Sequence, residues 1–362
     1  MIRFVCILLG LCVPLVGIGQ NATTTRKVVL EKLDKGYRWK LTQAPVPAVA
    51  DHQVLIHVRA VALNRGDLEI LDPGGPDRSG LTVGSDAAGD VVTVGKSVTG
   101  IRPGNRVTST YFLNWTDGPA SREKLDKALG ASADGVLGDF IVLDETAVAA
   151  APEGLSYEEA ATLPTAGLTG WMASVGRRAA HKGDVVLIQG TGGVSVFAMQ
   201  FAAASGARII LTSSSDDKLS RAKSIAAHDG INYRNTPEWS KRVLELTAGH
   251  GADVIVDVGG KSTLDQSVRS LAFGGTLSIV GGLTGYDGEL RASALLGKVA
   301  NAQGIFVGSR ADLLRMNAFI AAHRLHPAID KTYPLEQFDA ALKQMSSGNF
   351  IGKIVLRLDQ GR

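Results

Sequence analysis

The residues most able to do chemistry form one continuous run, Val185-Val-Leu-Ile-Gln-Gly190-Thr-Gly192-Gly193-Val194-Ser195-Val-Phe-Ala-Met-Gln200. Three glycines separate an apolar stretch from a helix-forming one. Glycine permits a tight turn and lets backbone N–H groups close on a pyrophosphate, whose charge the N-terminus of the following helix favours. Ser195 stands where a dinucleotide fingerprint has its third glycine, and it is small enough for helix to pack on strand. A glycine loop alone is weak evidence, but one set after a strand, before a helix and inside a repeating strand–helix series is strong. The run predicts a dinucleotide held by Gly190, Gly192, Gly193 and Val194. The competing reading is a glycine turn that binds nothing.

The next apolar stretch ends in Thr212-Ser213-Ser214-Ser215-Asp216-Asp217-Lys218. An acid at the strand's end would suit a ribose 2′-hydroxyl, whereas hydroxyls followed by a lysine suit a 2′-phosphate. Ser213, Ser214 and Lys218 therefore point to NADP(H), with Asp216 and Asp217 read as helix-capping residues and Tyr233 lying against the adenosine end. Other chemistries find little support. Among seven histidines no spacing suggests a metal, and no nucleophilic serine stands in a Gly-x-Ser-x-Gly context. The two cysteines, Cys6 and Cys12, lie at the start of the chain, which rules out a thiolate-ligated metal in the folded body.

These residues need elements to position them. Apolar stretches at 185–189, 208–212, 254–258, 276–280 and 302–307 alternate with helical ones at 195–204, 217–227, 239–248, 262–271 and 313–323. That rhythm predicts an α/β architecture with a doubly wound parallel sheet. Upstream, residues 27–150 read as mostly β, with strands at 27–30, 53–62, 90–94, 106–110 and 139–143 between proline and glycine turns, and a surface insertion over 115–135. Ser156 and Glu159 form a capping box that opens the second half. A last strand over 353–356 is placed to return to the first domain.

The chain has 362 residues, long enough for two domains. With 38 basic and 35 acidic residues and no basic cluster, it offers nothing to nucleic acid. Residues 1–19 carry Arg3 and an apolar run from Phe4 to Ile18, the pattern of a signal peptide, too short for a comfortable membrane span. This predicts export to a periplasm or the exterior, or an N-terminal anchor, the only route to a membrane; a misplaced start site would leave the protein cytoplasmic. An exported reductase would lack a supply of NADPH, so leader and cofactor pull in opposite directions.

Several segments together resemble one family, the medium-chain dehydrogenases/reductases, and its zinc-free quinone oxidoreductase-like branch. They are Ala62-Leu-Asn64-Arg-Gly-Asp67-Leu, the run from Gly84-Ser-Asp86 to Gly95, Ala160 to Thr169, the glycine loop, and Gly304-Ile-Phe-Val307-Gly308-Ser. The likeness covers nearly the whole chain after about residue 27. It implies a GroES-like β domain (27–150), a six-stranded Rossmann domain (151–315), a C-terminal return (316–362), and an active site in the cleft between them. Alcohol dehydrogenases of the family hold zinc with Cys, His and Cys or Asp. Here Asn64, Ser85 and Thr165 stand at those positions, so the resemblance implies no zinc.

Without a metal, hydride transfer suits quinones, enones and related carbonyls, whose conjugation spreads the developing charge. The resemblance puts Asn64 near the nicotinamide ribose, Thr169 near the cofactor, and Val280, Gly281, Phe306 and Val307 against the nicotinamide. Arg65 stands where related enoyl reductases often carry a tyrosine; it would hold a carboxylate or carbonyl oxygen, or else pair with a surface acid. Tyr111, Trp115 and Trp171 are either walls for a flat acceptor or plain core. The family's habit of dimerising through the edge strand implies a homodimer joined along 302–307. Two other readings stay open: an alcohol dehydrogenase without zinc, and a non-catalytic dinucleotide-binding redox sensor.

Overall fold

A computed structural model of the protein describes residues 23–358. The leader expected over residues 1–19, with Cys6 and Cys12, lies outside them. The first part of the chain contributes β1 (Thr24–Lys32), β2 (Tyr37–Pro45), β3 (Gln53–Ala62), β4 (Asp86–Val94), β5 (Arg106–Ser109), β6 (Phe140–Asp144) and β7 (Val148–Ala150). The second contributes β8 (Val185–Gln189), β9 (Arg208–Ser213), β10 (Asp229–Asn232), β11 (Ala252–Asp257), β12 (Leu271–Ile279) and β13 (Asn301–Gly304). Two more, β14 (Ile329–Pro334) and β15 (Lys353–Arg357), follow the helix Arg310–His323.

Strands β8 to β13 form one parallel sheet in the order β10-β9-β8-β11-β12-β13. All five residues of β8 are buried, as befits a strand covered by helices on both faces. The order reverses between β8 and β11, and ligands of doubly wound sheets bind outside the strand ends at such a reversal. The sequence puts its glycine loop there. The second sheet runs β14-β15-β3-β4-β5-β7, with β6 also paired to β3. Strand β15 joins it antiparallel to β3, so the C-terminal strand does return to the first domain.

Some elements differ from expectation. Strand β2 was not foreseen; it pairs with β1 along its whole length and buries Tyr37 and Trp39. Strands β10 and β14 are short and polar, with little apolar signal to read. The edge strand expected over 302–307 is shorter: β13 ends at Gly304, and Ile305 and Val307 turn into the core. The residues at 115–135 are not an insertion held at the surface throughout, because Ala128 and Leu129 are buried and Leu129 N–H donates to Tyr111 O at 3.0 Å.

Candidate active site

The glycine loop leaves β8 at Gln189. Gly190 has φ +73°, a left-handed conformation that glycine adopts freely, and its N–H donates to Thr212 O at 2.8 Å. Ser195 is buried and returns its hydroxyl to Gln189 O at 2.7 Å, tying the helix Gly193–Ala204 to the strand. That bond does the packing work expected of the third fingerprint position. Gly192 is the N-cap of this helix and offers no side-chain cap. The first N–H groups of a twelve-residue helix therefore lack a side-chain cap, and the space beside Gly192 is open, since a Cβ there would meet nothing within 4 Å. Gly193 is different: a Cβ there would lie 2.5 Å from Lys353 Cδ and 3.2 Å from Ala166 Cβ. Val194 is half-buried beside it.

Ser213 ends β9 and Ser214 follows it, and Tyr233 N–H donates to Ser213 O at 3.0 Å, which brings Tyr233 alongside. The helix that follows is capped by Ser215, whose hydroxyl accepts from Lys218 N; Asp216 and Asp217 sit in its first turn rather than at the cap. The Lys218 ammonium donates to Gly348 O at the end of the helix Phe338–Ser347. Burial, with Arg221 and Arg234 nearby, lowers its pKa. Ser213, Ser214, Lys218 and Tyr233 are thus gathered at one corner of the sheet, joined by two arginines that the sequence had not singled out.

Across the cleft the three positions that the resemblance matches to zinc ligands meet in space around Asp86. Asn64 Nδ2 donates to Ser85 Oγ at 3.1 Å, and Ser85 Oγ donates to Asp86 Oδ1 at 2.8 Å. Thr165 donates through its hydroxyl to Asp86 Oδ1 at 2.5 Å and through its N–H to Asp86 Oδ2 at 3.0 Å. The latter bond exists because the segment Leu163–Gly167 is a π-turn, in which Gly167 N–H reaches back to Thr162 O and the helical ladder is locally loosened. Asp86 is fully buried and Asp67 nearly so, and Asp67 Oδ2 accepts the Asn64 N–H at 2.7 Å. The buried cation is Lys353, whose ammonium donates to Leu63 O and, at 2.6 Å, to Asn64 Oδ1.

Burial dominates the charge balance of this cluster. It pushes the Asp67 carboxyl up to about 7, with Asp86 adding repulsion, and it lowers the Lys353 ammonium. Gly352 N–H donates to Thr191 O at 2.9 Å, so Gly352, just before β15, and Lys353, its first residue, touch the glycine loop and the polar cluster together.

The remaining expected residues divide. Thr169 is buried and spends its hydroxyl on Thr165 O at 2.6 Å, so it has no proton to offer a ligand. Arg65 is exposed and pairs with Glu69 at 3.3 Å, the surface-pair alternative, and does not join the polar cluster. Val280 N–H donates to Asp257 O at 2.8 Å, which fixes the start of the Val280–Gly281 turn. Phe306 is 60% exposed, and Val307 is buried with φ +56°, a conformation that a β-branched residue adopts only under constraint. Of the three aromatics, Trp115 and Trp171 are buried core. Tyr111 alone is half-buried, with its ring edge-on to Phe306 at 6.4 Å. Asp67, Asp86 and Lys353 were missed as site residues. The first two lay inside quoted motifs, but a lysine at the head of a C-terminal strand carries no local signal.

Among the described residues no group of three or more His, Cys, Asp or Glu is gathered as a metal site. Two family descriptions match the chain: an alcohol dehydrogenase GroES-like domain over residues 50–153 and a zinc-binding dehydrogenase over 193–322. A zinc-type alcohol dehydrogenase-like protein of Schizosaccharomyces pombe is 39% identical over 315 residues, covering 85% of this chain and 91% of its own. An acryloyl-coenzyme A reductase of Metallosphaera sedula is 27% identical over 91% of this chain and 99% of its own. A solved structure from Sinorhizobium meliloti 1021, provisionally named an alcohol dehydrogenase, superposes with TM-score 0.88 at 38% identity, covering 93% and 99%. A structure named an NAD-dependent alcohol dehydrogenase gives TM-score 0.81 at 31% identity, covering 92% and 100%.

Proposed function

This chain belongs to the medium-chain dehydrogenase/reductase superfamily of NAD(P)(H)-dependent oxidoreductases, and from that premise we propose that it reduces conjugated carbonyl acceptors, quinones or enones, with NADPH and without a metal. The observation that carries the reading is the mutual hydrogen bonding of Asn64, Ser85 and Thr165 around Asp86. An amide and two hydroxyls are poor zinc donors, and here each is already engaged with a neighbour. The cluster is also braced by an ammonium, and a second cation beside Lys353 would be repelled.

The residues fit a dinucleotide. The uncapped helix N-terminus at Gly192 and the open cradle before it would take the pyrophosphate, and Ser213, Ser214, Lys218 and Tyr233 would flank the 2′-phosphate. When bound, reduced nicotinamide supplies a hydride. Asn64, held by Lys353 on one side and Ser85 on the other, presents a fixed amide edge at the cleft. A fixed donor stabilises a developing oxyanion without reorganising. Conjugated acceptors need least help of this kind, and the acryloyl-coenzyme A reductase among the relatives acts on such a bond by its name.

The proposal includes a homodimer along the free edge of β13. Leu296 and Val299, from the segment just before that strand, are 79% and 77% exposed, and Tyr286 is 82% exposed. One preparation, the chain from residue 20 onward, tests the whole reading. Its fluorescence titrated with NADPH and with NADH should show NADPH preferred by about tenfold or more, consistent with an added charge-assisted contact to phosphate. It should sediment as a dimer and oxidise NADPH when given a quinone or an enone. Preference for NADH overturns the cofactor assignment, and activity restored only by added zinc overturns the metal-free one.

A further inference from the structure

Reduction of a conjugated carbonyl requires a proton as well as a hydride, and neither Arg65 nor Thr169 can provide one from where it sits. Tyr111 is differently placed. Strand β5 ends at Ser109, whose hydroxyl donates to Ser85 O at 3.0 Å and accepts from Ala87 N–H at 3.1 Å. The chain therefore leaves β5 against the Ser85–Asp86 pair, and Tyr111 follows two residues later. Its backbone is held by Leu129, and its ring is packed edge-on against Phe112 at 4.7 Å and Phe306 at 6.4 Å. Phe306 adjoins the strained Val307, in the stretch read as the nicotinamide side of the cleft. The ring therefore lies against that side, and its hydroxyl is near enough to Asp86 and Asp67 in the polar cluster to feel their charge. Its hydroxyl makes no hydrogen bond to any described residue, whereas the hydroxyls of Ser85, Thr165 and Thr169 are all engaged.

We propose that the Tyr111 hydroxyl is the proton donor to the acceptor bound in this cleft. The inference rests on the reductase reading above. The β-carbon of an enone receives a hydride, and the two electrons of its C=C bond move toward oxygen as an enolate. The Tyr111 O–H bond breaks, its proton forms the new C–H bond at the α-carbon, and the phenolate recovers a proton from cleft water. In sum, enone, NADPH and one proton give saturated ketone and NADP⁺. Burial and the carboxylates of Asp86, Asp67 and Glu69 push the phenol up to about 12, so the proton is present at any working pH. An enolate is far more basic at carbon than a phenolate, so the transfer runs downhill. Quinones need no such donor, because the hydroquinone anion carries its charge on oxygen and takes a proton from water directly.

That contrast supplies the test. Tyr111→Phe keeps the ring and removes only the hydroxyl. With a 2-methyl enone its turnover should fall on the order of 100-fold, the usual contribution of a positioned acid, while quinone turnover stays within about threefold. The wild type should deliver one enantiomer at the α-carbon, and the variant should deliver both, since water reaches either face of a free enolate. NADPH affinity read by fluorescence should be unchanged. A variant equal to the wild type in enone rate and enantiomer overturns the proposal and leaves the reductase reading standing. An equal loss on both acceptors overturns it too, by making Tyr111 a wall of the pocket. A wild type that reduces quinones but no enone overturns the proposal alone, and one that binds NADPH yet reduces neither overturns the reductase reading with it.

Discussion

The two walls of the cleft meet the problem of charge in opposite ways. The glycine-loop wall contains no charged side chain of its own: it presents backbone N–H groups at the end of the helix Gly193–Ala204. The facing wall has two buried carboxylates, Asp67 and Asp86, and one buried ammonium, Lys353, within a net of amide and hydroxyl bonds. A backbone cradle depends on shape, and any added side-chain atom harms it. A buried charge cluster depends on every member, because removing one leaves another unpaired in a poor dielectric. The first wall suits an anion that binds and leaves; the second is a permanent brace that holds one amide in one orientation.

The largest effect should come from breaking the brace. Lys353→Met removes the ammonium that faces both carboxylates, and a broken buried charge pair typically destabilises by about 3–5 kcal/mol. Urea unfolding should show the midpoint fall steeply. An unchanged midpoint would mean the cluster is no brace.

Next comes the cradle. Gly193→Val drives a branched side chain into Lys353 Cδ and Ala166, and NADPH affinity should drop roughly 100-fold, about 3 kcal/mol, through lost backbone contacts. Retained affinity in a folded variant would place the dinucleotide elsewhere.

The smallest effect is electrostatic and sharpens the contrast. The folded protein holds the Asp67 proton up to about 7, against an ordinary 3.8. The folded state therefore binds that proton more tightly than the unfolded chain. Stability from this group is complete below about pH 4 and is lost as pH rises through about 7. Between pH 5 and 8 the loss should be roughly 2–3 kcal/mol, and Asp67→Asn should flatten it. Lys353, shifted down, acts in the opposite sense at higher pH. The measurement is urea midpoints of both proteins at pH 5 and pH 8; parallel profiles would remove Asp67 as the cause.

The same contrast explains what the sequence makes legible. Val185–Gln189, the glycines and the helix after them are contiguous, so strand, loop and helix declare themselves in one reading, and β8 falls where the apolar run predicts. The six-stranded sheet follows from repetition of that pattern. The polar cluster is drawn from residues 63–67, 85–86, 165 and 353, and each segment alone reads as an ordinary strand end or turn. The resemblance alone matches Asn64, Ser85 and Thr165 to the family's zinc-ligand positions, and the bonds of Asn64 to Ser85 and of Ser85 and Thr165 to Asp86 were not legible at all. Arg65 and Thr169 were read from position along the chain, whereas their orientation is set by Glu69 and by the helix backbone. The π-turn at Leu163–Gly167, which frees the Thr165 N–H for Asp86, has no pattern that separates it from a regular helix.

The clasp made by Gly352 and Lys353 has a consequence for how the protein comes into being. The bond from Lys353 to Asn64 spans 289 positions of chain. During synthesis the parallel sheet can complete itself once β13 has emerged, because its strands lie within residues 185–304. The acceptor wall cannot. Until residue 353 leaves the ribosome, β3 lacks β15, two acids sit beside an empty cation position, and the Asn64 amide keeps only its bond to Ser85. The parallel sheet can therefore form before either the acceptor wall or the Gly352 contact to the glycine loop is in place. A nascent chain, or one that ends ahead of β15, would have the parallel sheet but an unfinished cleft.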